Sequence, residues 1–299
     1  MTGLMLVAAV AFATVNPASA QGRIANAHTE TRSAAQGLDR EMRAVANRAG
    51  VAWVGYRVPM IAGPRHMCCD DSVGDGNGCC GVCRLENGSA VTMTNGDTSA
   101  RGTRVALEPP TEFLILARYA DGSLVRIRTF TADCDVDAGG MPLVWLNDVK
   151  PDDSVAWLTS QIGSAAGRDN EFRNRVAKQA IAALSLHTTR SALTTLVTLA
   201  RTDRDTRIRG DALFWLAQRA GQEAAAAITD AIANDPETEV KKRAVFALSQ
   251  LPADEGVPRL IEVARNHRNP EVRKQAFFWL GQTKDPRAIQ LFEEILLRK

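Results

Sequence analysis

Between residues 176 and 282 one arrangement of apolar and polar positions recurs four times. VAKQAIAALSL begins at Val176, IRGDALFWLAQ at Ile208, VKKRAVFALSQ at Val240 and VRKQAFFWLGQ at Val272, each start 32 residues after the last. Equivalent slots hold Ala180, Ala212, Ala244 and Ala276, and then Leu184, Leu216, Leu248 and Leu280. Another slot holds Gln218, Gln250 and Gln282, with Leu186 in the first copy. A second apolar segment follows at a fixed offset: Leu193, Leu196 and Ala200, then Ala225, Ile228 and Ile232, then Val257, Leu260 and Ala264, then Ile289, Phe292 and Leu296. Spacings of three and four put each set on one face of a helix. Asp203 to Asp205, Asn234-Asp235-Pro236 and Asn269-Pro270 supply the turns between units. Each unit is predicted to be a helix, a short turn, a second helix and a polar loop.

The first helix of each unit is apolar on more than one side. At about 100° per residue, Ile208, Ala212, Trp215 and Leu216 share a face while Leu213 and Phe214 point elsewhere. Such a helix needs cover on most sides, and stacking of neighbouring pairs supplies it. Phe214, Phe246 and Phe278 share one slot, and on this reading they fill the layer between repeats. PDDSVAWLTSQIGSA, from Pro151, reads as one helix whose Trp157, Leu158 and Ile162 cover the open end of the stack. Residues 151–170 are thus expected to be a capping helix and linker, and residues 171–299 an α-solenoid of four helix pairs.

These units resemble HEAT repeats of the short bacterial kind, the phycobilisome-lyase-like HEAT repeats, over roughly residues 170–299. The resemblance implies a right-handed superhelix whose second helices line a concave surface. It does not imply one activity, because such repeats serve many functions. Hydroxylases of this family that use a di-iron centre carry His-Glu pairs; here none of the four histidines precedes a Glu, and His187 and His267 sit at different offsets in their repeats. Bilin lyases share the scaffold, and no motif speaks for or against that role.

Residues 21–150 show no repeat. Arg23 to Arg32 alternates imperfectly as a strand would, Leu38 to Ala49 has helical spacing, and VAWVGYRV from Val51 is a strand candidate. Phe113–Tyr119 and Leu124–Phe130 flank Asp121-Gly122, a hairpin signal, and Leu143–Leu146 suggests a further strand. The expectation is a small α+β domain with a mainly antiparallel sheet, so that the chain as a whole reads as an α+β N-terminal domain followed by an all-α HEAT-repeat solenoid.

The first 20 residues differ from the rest. An apolar run from Leu4 to Val15, Asn16-Pro17 and then Ala18-Ser19-Ala20 reads as a secretory signal peptide cut before Gln21, although no Lys or Arg precedes the run. A short N-terminal anchor is the alternative. The mature protein is then expected outside the cytoplasm, periplasmic or secreted, with no membrane span after cleavage. Residues 21–150 carry 14 basic and 15 acidic side chains, and residues 151–299 carry 22 and 19. Neither stretch is basic enough for a general polyanion binder, which argues against nucleic acid as the main partner.

Candidate chemistry is confined to the cysteines. Cys68, Cys69, Cys79, Cys80 and Cys83 lie close together, and Cys134 follows the hairpin. In an exported chain an even count favours disulfides. Cys80 and Cys83 with Cys68 and Cys69 are alternatively spaced to hold zinc, the one cofactor the sequence suggests. A thiol-exchange role for Cys80-Gly81-Val82-Cys83 is a third option. Asp133, Asp135 and Asp137 alternate, but Ala138 and Val144 stand where a calcium loop needs Gly and Glu, so a strand end running into the Gly139-Gly140 turn is the simpler reading. No Ser-His-Asp order, P-loop or dinucleotide fingerprint occurs, so no catalytic residue is assigned. The layout resembles exported bacterial HEAT-repeat proteins of unassigned activity. The expected function is an extracytoplasmic scaffold for a protein partner. Its candidate binding row is Thr198, Asp230, Glu262 and Glu294, with Arg259 close by. A metal- or thiol-dependent enzyme, or a lyase-like activity centred on the cysteines, is the alternative.

Overall fold

The structure is a computed structural model that describes residues 23–48, 50–62, 67, 83–86, 109–164, 170–219 and 222–297. Its strands fall before residue 148 and are followed by a run of consecutive helices.

The first part contains β1 (Ile24–Ala25), β2 (His28–Ser33), α1 (Leu38–Ala46), β3 (Val51–Pro59), β4 (Cys83–Arg84), β5 (Glu112–Ala120), β6 (Ser123–Thr131), β7 (Val136–Asp137) and β8 (Pro142–Asn147). The larger sheet runs β2-β8-β3-β5-β6. Asp121 and Gly122 both take positive φ, 48° and 76°, the two-residue turn whose twist suits a hairpin, and they join β5 to β6. The sheet is mixed rather than mainly antiparallel: β8 lies between β2 and β3 and is parallel to both. The small strands β1, β7 and β4 form a second, all-parallel sheet. Asp135 accepts from the Arg23 backbone N–H, Asp137 accepts from Asn26 and from the Gly139 N–H, and Gly139 and Gly140 turn the chain with positive φ. The alternating aspartates therefore serve as a strand end and turn.

The helices are α2 (Pro151–Ser164), α3 (Asn170–Leu186), α4 (Arg190–Thr202), α5 (Thr206–Arg219), α6 (Gln222–Asn234), α7 (Thr238–Ser249), α8 (Ala253–Asn266), α9 (Pro270–Gln282) and α10 (Pro286–Leu297). The four pairs α3/α4 to α9/α10 are the repeats read from the 32-residue period. Ala180, Ala212, Ala244 and Ala276 are fully buried, as are Leu184, Leu216, Leu248 and Leu280. With only a methyl at the alanine slot, first helices approach closely: α5 packs on both α3 and α7, and α7 on both α5 and α9. Successive second helices touch more sparsely, α4 with α6 and α8 with α10. A stack spaced more tightly in one layer bends toward that layer. The inner side is therefore formed by α3, α5, α7 and α9, not by the second helices.

Each junction between pairs is held by one device. The slot of Arg209, Lys241 and Arg273 reaches back to the C-terminal end of the preceding second helix. Arg209 donates to the Asp203 carbonyl at 2.9 Å, Lys241 to those of Ile232 and Ala233 at 2.9 and 2.7 Å, and Arg273 to that of His267 at 2.7 Å. Those carbonyls have no partner within their own helix, and a cation there also suits the helix dipole. Arg209 adds a bidentate, buried pair with Asp235, at 2.8 and 3.0 Å.

Helix α2 covers the first pair, with Trp157, Leu158 and Ile162 buried. It does more than cap. One apolar core runs without a break from the inner face of the large sheet through α1 and α2 into the repeats. The Ile61 N–H donates to the Leu186 carbonyl at 2.8 Å. Leu186 is buried at a slot where the later repeats show glutamine, because only in the first repeat does this slot meet the sheet.

Candidate interaction face

The second helices carry the predicted row on the outside of the stack. Thr198 is exposed and spends its hydroxyl on the Thr194 carbonyl. Asp230 pairs with Arg201 of the preceding repeat at 3.1 Å, and Glu294 pairs with Arg265 in the same way. At the slot of Arg201 and Arg265 the intervening repeat has Ala233, so Glu262 receives no such partner. Arg259 donates to the Glu255 carbonyl of its own helix. The row is thus a ladder of alternating charge rather than an acidic strip, and exposed pairs of this kind contribute little. A basic partner would find little net charge there.

The inner layer has a different character. Phe214, Phe246 and Phe278 do not fill the space between repeats. They stand on the inner surface, half-buried in the first two cases and 54% exposed at Phe278. The geometry follows from the packing: Ala212, Leu213 and Leu216 occupy the buried sides of α5, leaving Phe214 the remaining side. Trp215 stands edge-on to Phe214 at 5.1 Å, Phe214 stacks on Phe246 at 5.9 Å and 9°, Phe246 meets Trp279 at 4.8 Å, and Trp279 meets Phe278 at 5.0 Å. Five rings form an unbroken ladder across three pairs. The period revealed the recurring phenylalanine, but a slot identified as apolar does not say whether another repeat covers it.

Arg243 flanks the ladder. It lies over Gly210, where an added Cβ would sit 2.3 Å from the Arg243 Cδ, and it approaches Asp211 at 3.8 Å. Burial pushes the Asp211 carboxyl up from its ordinary value, against Arg243 and Lys178, which pull it down.

Sequence reasoning missed a buried relay where the sheet meets the solenoid. Tyr56 of β3, Ser154 of α2 and His187 after α3 are all fully buried. His187 Nδ1 lies 2.9 Å from the Ala183 carbonyl, which only accepts, so Nδ1 carries the proton. Nε2 then accepts from the Ser154 hydroxyl at 2.9 Å, and Ser154 Oγ accepts from the Tyr56 hydroxyl at 2.9 Å. Burial lowers the His187 pKa to about 4, with its bond to Ala183 opposing and Arg219 assisting the shift. Burial likewise raises that of Tyr56. Every hydrogen in the relay has one destination, which makes it a structural tie rather than an activated nucleophile. A lone histidine and a serine 33 residues apart give no sequence signal.

Of the cysteines, Cys68, Cys69, Cys79 and Cys80 lie outside the described residues, and of Cys83 only its strand is described, Cys83 pairing with Val136 in β7. Cys134 is buried in the smaller core with Leu85, Val136 and Ala138, 3.1 Å from the Thr131 hydroxyl. Among the described residues no group of His, Cys, Asp and Glu is arranged to hold a metal, and no helix is long and apolar enough to cross a membrane.

No curated protein matches the sequence. The complex of CpcE and CpcF of phycocyanin lyase from Nostoc sp. PCC7120 is similar at a TM-score of 0.37 and 19% identity, over 48% of this chain and 91% of that one. YibA of Escherichia coli is similar at a TM-score of 0.32 and 21% identity, over 48% of this chain and 55% of that one. Likeness at that level carries no argument about function. A family model for HEAT repeats matches residues 225–299, and the same 32-residue period carries this repeat architecture back through the pairs that precede it.

Proposed function

We propose that the protein is a binding scaffold for another protein, working outside the cytoplasm. The observation that supports this best is the ring ladder: aromatic area left half-covered in a continuous line on a folded repeat stack is costly unless something docks on it. The export half of the reading rests on the leader-like first 20 residues and on a cysteine content suited to an oxidising compartment. Cys68, Cys69, Cys79, Cys80 and Cys83 then pair among themselves or with Cys134, and zinc is not needed.

Three measurements test it. N-terminal sequencing of the exported fraction should find Gln21 first; full-length protein confined to the cytosol would remove the extracytoplasmic claim. Thiol titration and metal analysis of the native protein should find the cysteines oxidised and no bound metal. Free thiols with one equivalent of zinc would put a metal-dependent activity of the cysteine cluster in first place. The scaffold itself is tested by cross-linking in the cells that make it, where the solenoid should give adducts with another protein.

A further inference from the structure

We propose that the inner face of the solenoid takes an extended, acidic segment of its partner, with apolar side chains on the ring ladder and carboxylates on Lys178, Lys242, Arg243 and Lys274. This rests on the scaffold reading above and adds the surface and the chemistry of its ligand.

The charge argument comes from two slots one helical turn before the phenylalanine slot. Across the four first helices they hold Lys178 and Gln179, Gly210 and Asp211, Lys242 and Arg243, and Lys274 and Gln275. Four cations face one carboxylate, and that carboxylate lies beside Arg243 at 3.8 Å. Lys242 has only an exposed contact within its own helix, with Glu239 at 3.0 Å, which a partner carboxylate can replace at little cost. The outer face differs, since its arginines and carboxylates cancel from repeat to repeat. A cationic band beside an aromatic band, both running along the stack, complements a chain that is both acidic and apolar.

The spacing argues for an extended chain. Packed helices stand about 8–10 Å apart, and three residues of polyproline-type chain span about 9 Å. Every third side chain of such a segment therefore meets the next first helix. One turn beyond the rings, the exposed amides of Gln250 and Gln282 offer both donors and acceptors to a backbone that has no hydrogen bonds of its own. The band ends where α3 meets the sheet: Gln179 there accepts from the Ile127 N–H of the edge strand β6 at 2.9 Å, so the band has one closed end.

The test uses the full mature chain and three labelled 15-residue peptides, built from Glu-Pro-Leu triplets, from Lys-Pro-Leu triplets, or from a helix-forming acidic sequence of equal charge. Fluorescence anisotropy should show the Glu-Pro-Leu peptide binding at least tenfold more tightly than either other peptide. The double variant Arg243→Glu with Lys274→Glu, at surface positions, should weaken it at least tenfold with the circular dichroism spectrum unchanged, and Phe278→Ser should weaken it separately. Equal binding of the acidic and basic peptides, tighter binding of the helical one, or a self-association that Phe278→Ser abolishes would each overturn the proposal. Repeating the cellular cross-linking with the charge-reversed variant separates the two readings. Protein adducts that persist unchanged overturn this inference and leave the scaffold standing, whereas a wild-type chain that gives no protein adduct overturns both.

Discussion

Two glycines in different repeats show how the same residue type answers different constraints. At Gly256 in α8 an added Cβ would sit 2.6 Å from the Leu248 carbonyl oxygen, a backbone atom that cannot step aside. Gly256→Ala should therefore destabilise the protein by about 1–3 kcal/mol, the usual cost of overpacking, despite alanine's better helix propensity. At Gly210 the obstruction is the flexible end of Arg243. Gly210→Ala should be neutral or stabilising by up to about 1 kcal/mol while it swings Arg243 away. Denaturant melts of the two variants should move in opposite directions, and a shared loss would show that Arg243 is held as firmly as the backbone. Leu248 itself is fully buried, and Leu248→Ala should cost about 2–5 kcal/mol. A change below about half a kcal/mol would mean that the site collapses around the cavity. The leucine and alanine slots were legible because burial inside a stack imposes one size at one interval. Gly256 was not, since its equivalents in the other repeats are alanines and the close approach is peculiar to one pair.

Among the elements, the junction of β3, α2 and α3 carries the clearest pH dependence. The unfolded His187 takes up a proton near 6.5, but the folded one does so only near 4. Between those values the unfolded state binds more protons, so stability is full above about 6.5 and is lost as pH falls toward 4. The loss approaches about 3 kcal/mol. His187→Gln offers hydrogen bonds without titrating, so it should flatten the stability profile between pH 6.5 and 4.5, as read by urea melts at each pH. An unchanged slope would assign the dependence to other groups. The strands and helices meeting here were largely readable: the Asp121-Gly122 hairpin, the strand from Val51 and the helix from Pro151 all lie where alternation and turn residues put them. The direction of β8 was not readable. Alternation fixes which side chains face the core but says nothing about which neighbour a strand selects, and that choice made the sheet mixed. The inner and outer layers of the solenoid were likewise hidden, because both helices of a pair have apolar faces and only the relative tightness of stacking distinguishes them.

For the molecule as a whole, the sheet and the solenoid share one core, so covalent fixing of one is felt by the other. Residues 151–299 contain no cysteine, and bridges among the earlier cysteines can act on the repeats only through the junction of the sheet with α2 and α3. Closing a loop of about 15 residues contributes roughly 3 kcal/mol in the chain-entropy model. Reduction should thus accelerate hydrogen exchange in β3, β5 and β6 first and in α2 and α3 next, with α7 to α10 almost unaffected. Uniform acceleration along the repeats would mean that the stack unfolds as one unit. The order follows from the way a repeat array spreads its stability through neighbour contacts alone.

The place of β8 also constrains the order of assembly. A chain synthesised from its amino end completes β3, β5 and β6 as a meander before residue 142 has emerged. Until then β3 offers an open edge and β2 has no strand to pair with. Such an edge beside an uncovered apolar face is a template for pairing between nascent chains. Closure waits for Pro142–Asn147 to slide between two strands already made, whereas every later pair of helices packs on its predecessor as it appears. A ribosome stalled before residue 142 should hold its product in a chaperone-dependent state, and one stalled past α2 should release it from that need.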